Sequence, residues 1–265
     1  MLAEQSLHEG TPHEALARLQ EQVRKDPSNP RLRVFLFQLL AVLGHWERAQ
    51  TQLKVCAELD PANLLMAQMY REAILCEVLR AEVFAGLRTP LVFGDPEQWI
   101  ALLIEALRLD HEGLVAEARD LRSQALEQAP AIAGSVDEQP FEWIADADSR
   151  LGPVLEAVVN GRYYWVPFHR LAKLDIEAPA DLRDLVWMPA QLQWVNGGSA
   201  SGLIPTRYAG SERSTDPHIL MSRKTEWNEL VEGSYSGLGQ RLFVTDRNEY
   251  PLMDVRSIAL TKAAG

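Results

Sequence analysis

The sequence predicts a multidomain α and α+β chain, with helical repeats over residues 1–132 and a small antiparallel, β-rich, barrel-like domain over residues 136–265. Two observations predict this division. Residues with defined roles in helical hairpins recur at a fixed spacing in the first third of the chain. Aromatic residues, which favour strands, concentrate after residue 136, where five of the seven tryptophans and five of the six tyrosines lie.

The repeat in the first third has a period of 34 residues. This is the length of one tetratricopeptide unit, a helical hairpin that buries its apolar face by stacking on the next copy. We expect the glycine of each copy to end a first helix and the Asp-Pro pair to stop the second. The matching positions are Gly10, Ala15, Leu19, Asp26, Pro27 and Asn29 in one copy and Gly44, Ala49, Leu53, Asp60, Pro61 and Asn63 in the next.

A third helical unit is predicted near the end of the first half, after a helix over 99–109. The intervening segment, about 64–98, fills one repeat slot in a degenerate form, with a long helix over 64–84 and an irregular piece at 86–96. The chain therefore provides roughly three to four stacked helical pairs, which make a minimal solenoid. The third unit is indicated by Gly113, Ala118, Ala125 and Pro130.

The second half is expected to begin after a linker at 131–137 and to contain one short helix at 148–160. The Asn160-Gly161 pair then predicts a tight turn into a strand at 162–167. Short strands separated by glycine-rich turns favour a strongly bent antiparallel sheet or barrel. The other predicted strands span 171–176, 185–187, 191–194, 202–205 and 240–245, and the predicted turns span 196–198 and 236–239.

Charge and cysteine content narrow the possible partners and compartment. The 265 residues carry a formal net charge of −11 and no basic face, so neither nucleic acid nor an anionic membrane is expected as a partner. The two cysteines, Cys56 and Cys76, lie in helical patterns and are expected to be buried and reduced. Residues 1–5 precede no signal-like apolar run, and no stretch is long enough to span a bilayer, so a cytoplasmic protein is expected.

Two clusters of charged residues are the candidates for chemistry, because paired carboxylates can hold a hard cation or perform acid–base catalysis. Their spacing matches no calcium loop, and interleaved Asp and Arg also form caps and ion pairs. No nucleophile elbow or phosphate-binding loop is present, so no cofactor is expected. The alternative to a binding protein is a metal-dependent enzyme with a carboxylate site between the domains, at Asp146, Asp148 or Asp184. The clusters are Glu142, Asp146, Asp148 and Arg150, and Asp181, Arg183 and Asp184.

Seven phrases of the sequence are more specific than any periodicity. They are residues 33–40 (RVFLFQLL), 44–49 (GHWERA), 141–153 (FEWIADADSRLGP), 160–167 (NGRYYWVP), 181–190 (DLRDLVWMPA), 205–208 (PTRY) and 239–241 (GQR). Together they resemble the ImpE/TagJ family of bacterial type VI secretion accessory proteins over essentially the whole chain. The resemblance implies a non-enzymatic, cytoplasmic protein that binds the N-terminal helical segment of the small contractile-sheath subunit. It also implies a link to sheath recycling by an AAA+ ATPase.

The resemblance carries no motif from which contact residues transfer, so candidate partner-binding residues follow from chemistry. Binding hot spots favour tryptophan, tyrosine and arginine, and the first helices of stacked hairpins line a groove that can receive a helix. Alternatively, the aromatic residues fill the core of the small domain, and the second half of the chain covers the groove. The candidates are Tyr163, Trp165, Trp187, Trp194 and Tyr208 as aromatic anchors, and Val34, Gln38 and Val42 in the groove.

Overall fold

The first half is a stack of helices in a computed structural model that describes residues 11–95 and 97–261. The helices are α1 (Pro12–Lys25), α2 (Pro30–Val42), α3 (Trp46–Leu59), α4 (Leu64–Phe84), α5 (Gln98–His111) and α6 (Val115–Gln128). Consecutive helices pack together from α1 to α4, and α5 packs against α6. The predicted helical repeats are therefore confirmed, whereas Gly10 and the segment 1–5 lie outside the described residues.

Helix α2 ends at the glycine that the repeat singled out. Gly44 adopts a φ of +68°, a conformation that glycine reaches without steric cost. The N–H groups of Gly44 and His45 donate to the carbonyls of Ala41 and Leu40 (3.0 and 2.8 Å), which is a Schellman motif. Helices α1 and α3 each stop one residue before an Asp-Pro pair. Local chain chemistry thus sets these boundaries as predicted.

The second half is built on an open nine-stranded sheet. The strands are β1 (Leu91–Val92), β2 (Gly134–Val136), β3 (Gln139–Phe141), β4 (Ile144–Asp146), β5 (Val154–Val159), β6 (Arg162–Pro167), β7 (Leu171–Ile176), β8 (Trp187–Trp194), β9 (Ser199–Pro205), β10 (Thr225–Val231), β11 (Ser234–Gly239), β12 (Leu242–Thr245), β13 (Glu249–Pro251) and β14 (Ser257–Leu260). The large sheet has the order β1–β6–β5–β9–β8–β7–β14–β2–β3 and is antiparallel except for the β1–β6 pair. A three-stranded sheet, β13–β12–β4, and the hairpin β10–β11 lie beside it, and a short helix α7 (Pro217–Leu220) precedes the hairpin.

Both faces of the large sheet are buried. Along β5, Val154 and Val158 pack in one core with the helices, whereas Leu155 and Val159 belong to a second core on the opposite face. This alternation is the two-residue period of a strand. Because α4 also contacts β6, the helices and one face of the sheet share a single apolar core.

Two predictions about the second half are wrong. The sheet is not a barrel, since among the described strands the end strands β1 and β3 do not pair. Helices that cover one face bury its apolar side chains without closure of the sheet. The predicted helix at 148–160 contains strand β5 instead, because a short apolar run buried on both faces cannot be distinguished from a buried helix by periodicity.

Two other predicted strands have the expected bounds, whereas a predicted linker, a predicted turn and two further predicted strands differ from the structure. The strands at 162–167 and 171–176 match β6 and β7, and the Asn160-Gly161 turn joins β5 to β6 with φ values of +49° and +70°. The strands predicted at 185–187 and 191–194 are largely one strand, β8. The segment 131–137 is not a free linker, because its strand β2 pairs with β14. The predicted turn at 236–239 lies in β11, where a Cβ on Gly237 would collide with the ring of Tyr208.

Candidate functional site

The inner face of the helical stack is occupied by the second half of the chain. Arg207, which follows β9, donates a hydrogen bond to the main-chain carbonyl of Val42 at the end of α2 (2.7 Å). Trp187, the first residue of β8, packs against Tyr70 of α4 and Trp46 of α3, with ring centroids 5.6 and 6.0 Å apart. Of the two alternatives for the helical groove, the structure therefore shows the one in which the chain covers it.

The three predicted groove residues differ in accessibility. Val42 is fully buried and Gln38 is 7% exposed, whereas Val34 is half-buried. Gln38 and Val42 consequently lie in the interior and not along an open groove. A role for Val34 in partner binding stays a prediction.

The five predicted aromatic anchors also lie in the interior. Tyr163, Trp165, Trp187 and Tyr208 are at most 1% exposed, and Trp194 is 7% exposed. Of the two alternatives for these residues, the structure therefore shows the one in which they fill the core. For Trp194 the reason is a stacked contact with Phe93, with ring centroids 3.9 Å apart, which holds the segment after β1 on the sheet. The other four, Tyr163, Trp165, Trp187 and Tyr208, are buried next to a group of charged side chains that also lie in the interior.

Five buried side chains alternate in charge from α4 into the sheet. The Arg80 guanidinium donates to both carboxylate oxygens of Glu156 (2.6 and 3.0 Å) and to Glu77 (3.2 Å). On the other side of Glu156, the Arg241 guanidinium donates to Glu156 and to Asp146. We call these five residues the ion-pair ladder; each of them is buried.

Three predicted anchors donate hydrogen bonds to carboxylates of the ladder, and a fourth donates to one of the three. A buried carboxylate needs several donors, and tyrosine or tryptophan supplies one donor on a large apolar ring. These aromatic residues are therefore partners of buried charges as well as core residues. The contacts are Trp187 Nε1 to Glu77 Oε1 (3.1 Å), the Tyr208 hydroxyl to Asp146 Oδ1 (3.1 Å), the Tyr163 hydroxyl to Glu156, and Trp165 Nε1 to the Tyr163 oxygen (2.8 Å).

The carboxylates of the ladder titrate differently because their neighbours differ. Burial alone would raise the pKa of Glu156, but the guanidinium groups of Arg80 and Arg241 outweigh it and hold that pKa at about 2. Burial raises the pKa of Asp146 to about 6, against the opposing effect of Arg241. Burial also raises the pKa of Glu77, which Arg80 opposes. Glu156, held between two cations, is thus the most firmly ionised carboxylate of the ladder.

The ladder fixes the helices on the sheet. Removal of one partner from a buried ion pair leaves an uncompensated charge and typically costs about 3–5 kcal/mol. Rotation or sliding of α4 against the sheet would break the same contacts, and the bidentate Arg80–Glu156 pair is strongly directional. The junction therefore holds one relative orientation of the two halves.

The acidic clusters that suggested chemistry are engaged in the structure. Asp146 belongs to the ladder, and Glu142 lies on the surface. Within the described residues, no group of three or more His, Cys, Asp or Glu side chains is arranged to hold a metal ion. The geometry supports caps and ion pairs. The partners are Arg150 for Asp148 (2.8 Å), Arg183 for Asp181 (2.7 Å) and two main-chain N–H groups for Asp184 (2.7 and 2.9 Å).

The two cysteines are unpaired and buried. Burial raises the pKa of the Cys56 thiol to about 11 and that of Cys76 to about 12, so both stay protonated at neutral pH. They behave as small apolar core residues, as expected. Among the described helices, none combines the length and apolar character needed to cross a bilayer.

Two grooves on the described part of the surface have linings of opposite charge. The α4 groove, of about 290 Å³, lies between α4, the Asn160-Gly161 turn and the middle of β8 and β9, and its lining includes Glu72 and Glu177 but no Lys or Arg. The α1–α3 groove, of about 360 Å³, includes Arg24 and Arg48 but no Asp or Glu. None of the partner-binding residues predicted from the sequence lines either groove. The sequence therefore did not indicate these surfaces as candidates for binding.

Helix α4 also presents a concentration of exposed apolar side chains. Of the fifteen large apolar residues that are exposed in the described chain, five lie on this helix. Scattered single cases are ordinary on protein surfaces, whereas several on one element make it the candidate for an interaction surface. The five are Leu64, Leu65, Met69, Leu75 and Val78.

Three residues of the ladder could have been recognised in the sequence as charged residues within apolar segments. Glu156 is the single charge in the apolar run 154–159, and Glu77 and Arg80 lie one turn apart in the largely apolar helix α4. A charge within a buried element requires a partner, so such residues are candidates for a buried network. Their partners are distant in sequence and could not be named in advance.

The fold and the junction define a class of protein, in which stacked helical hairpins are fixed on a β-sheet. Its buried carboxylates are held in ion pairs and caps, and exposed apolar side chains concentrate on the outer helix α4. Residues 6–73 match the tetratricopeptide repeat family, and residues 138–259 match the ImpE protein family.

A relative of known role extends this assignment over nearly the whole chain. The chain is 55% identical over 260 residues to the type VI secretion system accessory component TagJ of Pseudomonas aeruginosa, covering 97% of this chain and 90% of that protein. It therefore belongs to the ImpE/TagJ family. The crystal structure of protein VPA1032 from Vibrio parahaemolyticus has the same fold, with a TM-score of 0.90 and 24% identity over 100% of this chain and 99% of that one.

Proposed function

We propose that this protein is a non-enzymatic accessory component of a bacterial type VI secretion system. It binds the N-terminal helical segment of the small contractile-sheath subunit and assists handling or recycling of the sheath. The observation that carries this proposal is the group of exposed apolar side chains on α4, since the inner face of the helical stack is already occupied. Membership of the ImpE/TagJ family supports the secretion context.

The arrangement of carboxylates supports a binding role over the alternative of a metal-dependent enzyme. Such an enzyme would present Asp146, Asp148 or Asp184 to a substrate between the two halves. In the structure these groups accept hydrogen bonds from arginines or main-chain N–H groups, and none of them lines either groove. A carboxylate already neutralised by a guanidinium is a poor base and a poor metal ligand.

We further propose that the protein acts in the bacterial cytoplasm, where free thiols such as those of Cys56 and Cys76 stay reduced. Its link to the AAA+ ATPase that recycles the sheath is indirect, through the sheath subunit. The net charge of −11 argues against nucleic acid and anionic membranes as partners.

A pull-down with the purified small sheath subunit tests the proposal. We expect the full-length subunit to be retained and a subunit that lacks its N-terminal segment to be lost. The expected dissociation constant is about micromolar, because ordering a free segment opposes part of the contact free energy. Binding that survives the deletion would contradict the proposal, and binding to several other components without the sheath subunit would favour a general scaffold.

A further inference from the structure

The α4 groove has an exposed apolar rim above a buried apolar floor. Met69 of α4 is 44% exposed, whereas Val158 of β5 and Leu203 of β9, which also line the groove, are buried. Leu65 lies one helical turn before Met69, is 82% exposed, and extends the same face of α4 beyond the groove. Met69 and Leu65 thus offer two apolar contacts, one turn apart, for the apolar stripe of an amphipathic helix.

The groove is formed before any partner binds. The Asn160-Gly161 turn lies against α4, because the Cys76 thiol donates to the Gly161 carbonyl (3.5 Å) and a Cβ on Gly161 would collide with the Glu72 carboxylate. The ion-pair ladder holds α4 on the sheet at the same junction. Fixed walls reduce the conformational entropy that binding would otherwise cost.

The charge at the groove selects a class of partner. Glu72 of α4 and Glu177, which follows β7, line it, and within the described chain neither side-chain carboxylate has an ion-pair partner. Two unpaired carboxylates beside apolar walls complement lysine or arginine residues that flank an apolar stripe. A second copy of this chain is a poor occupant, since the net charge of −11 makes two copies repel.

We propose that the α4 groove binds a helical segment of a partner protein, with the apolar stripe of that segment against Met69 and Leu65 and its basic residues beside Glu72 and Glu177. This inference rests on the proposed function, under which the segment is the leading helix of the sheath subunit. The α1–α3 groove, which Arg24 and Arg48 line, does not suit a basic helix.

The test compares two substitutions at similarly exposed apolar positions in the full-length protein. Met69→Lys places a charge in the groove, whereas Leu126→Lys places the same charge on α6, at a position that is 43% exposed and lies outside the groove lining. A fluorescently labelled peptide of the sheath subunit's leading segment is the probe, and anisotropy gives its dissociation constant. We expect Met69→Lys to weaken binding at least about tenfold and Leu126→Lys to change it less than about twofold. Thermal unfolding of both variants verifies that they are folded.

A charge substitution tests the second part of the inference. Glu177→Lys should weaken peptide binding and make the dissociation constant less dependent on salt concentration. The control is Glu127→Lys, at an exposed position of α6, which should change neither the dissociation constant nor its salt dependence. Unchanged binding by Met69→Lys, or equal loss with Leu126→Lys, would overturn the assignment of the groove and leave the proposed function standing. Failure of the unmodified protein to bind either the peptide or the intact subunit would overturn the proposed function itself.

Discussion

The guanidinium of Arg207 lies 2.7 Å from the main-chain carbonyl oxygen of Val42, at the C-terminal end of α2. It also donates to the carbonyl of Leu220 (2.7 Å), at the end of α7. The last carbonyls of a helix have no intrahelical partner and carry partial negative charge. One buried cation therefore joins a repeat helix of the first half to a short helix of the second.

Arg207→Ala is expected to lower the free energy of unfolding by about 2–4 kcal/mol, since it removes charged hydrogen bonds and leaves buried carbonyls without donors. Arg207→Lys, which keeps one donor group, should lose less. Urea denaturation measures both values. The control is Arg31→Ala, at the exposed start of α2, which should change stability by less than about 0.5 kcal/mol. An equal effect of the Arg31 and Arg207 substitutions would contradict this role.

Stability is expected to depend on pH through Glu156. Its pKa is about 2 in the fold against an ordinary value of 4.5, so its ionised form stabilises the fold fully above about pH 4.5. As the pH falls from 4.5 toward 2, this stabilisation, on the order of 3 kcal/mol, is lost. The difference in unfolding free energy between the unmodified protein and Glu156→Gln should therefore narrow between pH 5 and pH 3. A difference that stays constant over this range would show that Glu156 is not held ionised by its arginines.

Ala49 lies at a helix contact that has no space for a larger side chain. It is fully buried in α3, at one of the repeat positions. Ala49→Trp should cost at least about 2 kcal/mol through overpacking. Ala116→Trp, at an exposed position of α6, is the matched control and should be nearly neutral. Equal thermal stability of the two variants would show that the contact at Ala49 is misassigned.

Gly161 is constrained by both its backbone and its neighbour. Its φ is +70°, and a Cβ there would collide with the Glu72 carboxylate. Gly161→Ala should lower the free energy of unfolding by about 1–3 kcal/mol. In a double-mutant cycle with Glu72→Ala, the steric part should be recovered and the backbone part should remain. Strictly additive effects of the two substitutions would indicate that the collision contributes nothing.

The helical half was accessible from sequence because its signals are local. Gly44 closes α2 through hydrogen bonds to residues within one turn, and each Asp-Pro pair acts on the helix directly before it. Strand β6 was equally predictable, since the Asn160-Gly161 turn fixes where it begins. Strand β5 was not, because burial on both faces removes the alternation that identifies a strand.

The candidate site was less predictable than the fold. Tyrosine and tryptophan are favoured both in binding hot spots and beside buried charges, and residue type does not separate these two uses. Trp187 and Tyr163 proved to be donors to carboxylates in the core. The exposed face of α4 was also missed, because a long apolar helix is ordinarily read as one buried on all sides.

By itself the sequence determined the order of structural classes, the helix ends, several strands and the family, since all of these depend on residues close together in the chain. The tertiary structure decided which surfaces are open and which charges are paired. Arg80 meets Glu156 across 76 positions of sequence, and Arg207 meets Val42 across 165. Contacts between residues so far apart produce no periodic pattern in the sequence, because they depend on how the whole chain folds. The same folding fills the inner face of the helices and leaves the α4 groove on the outside.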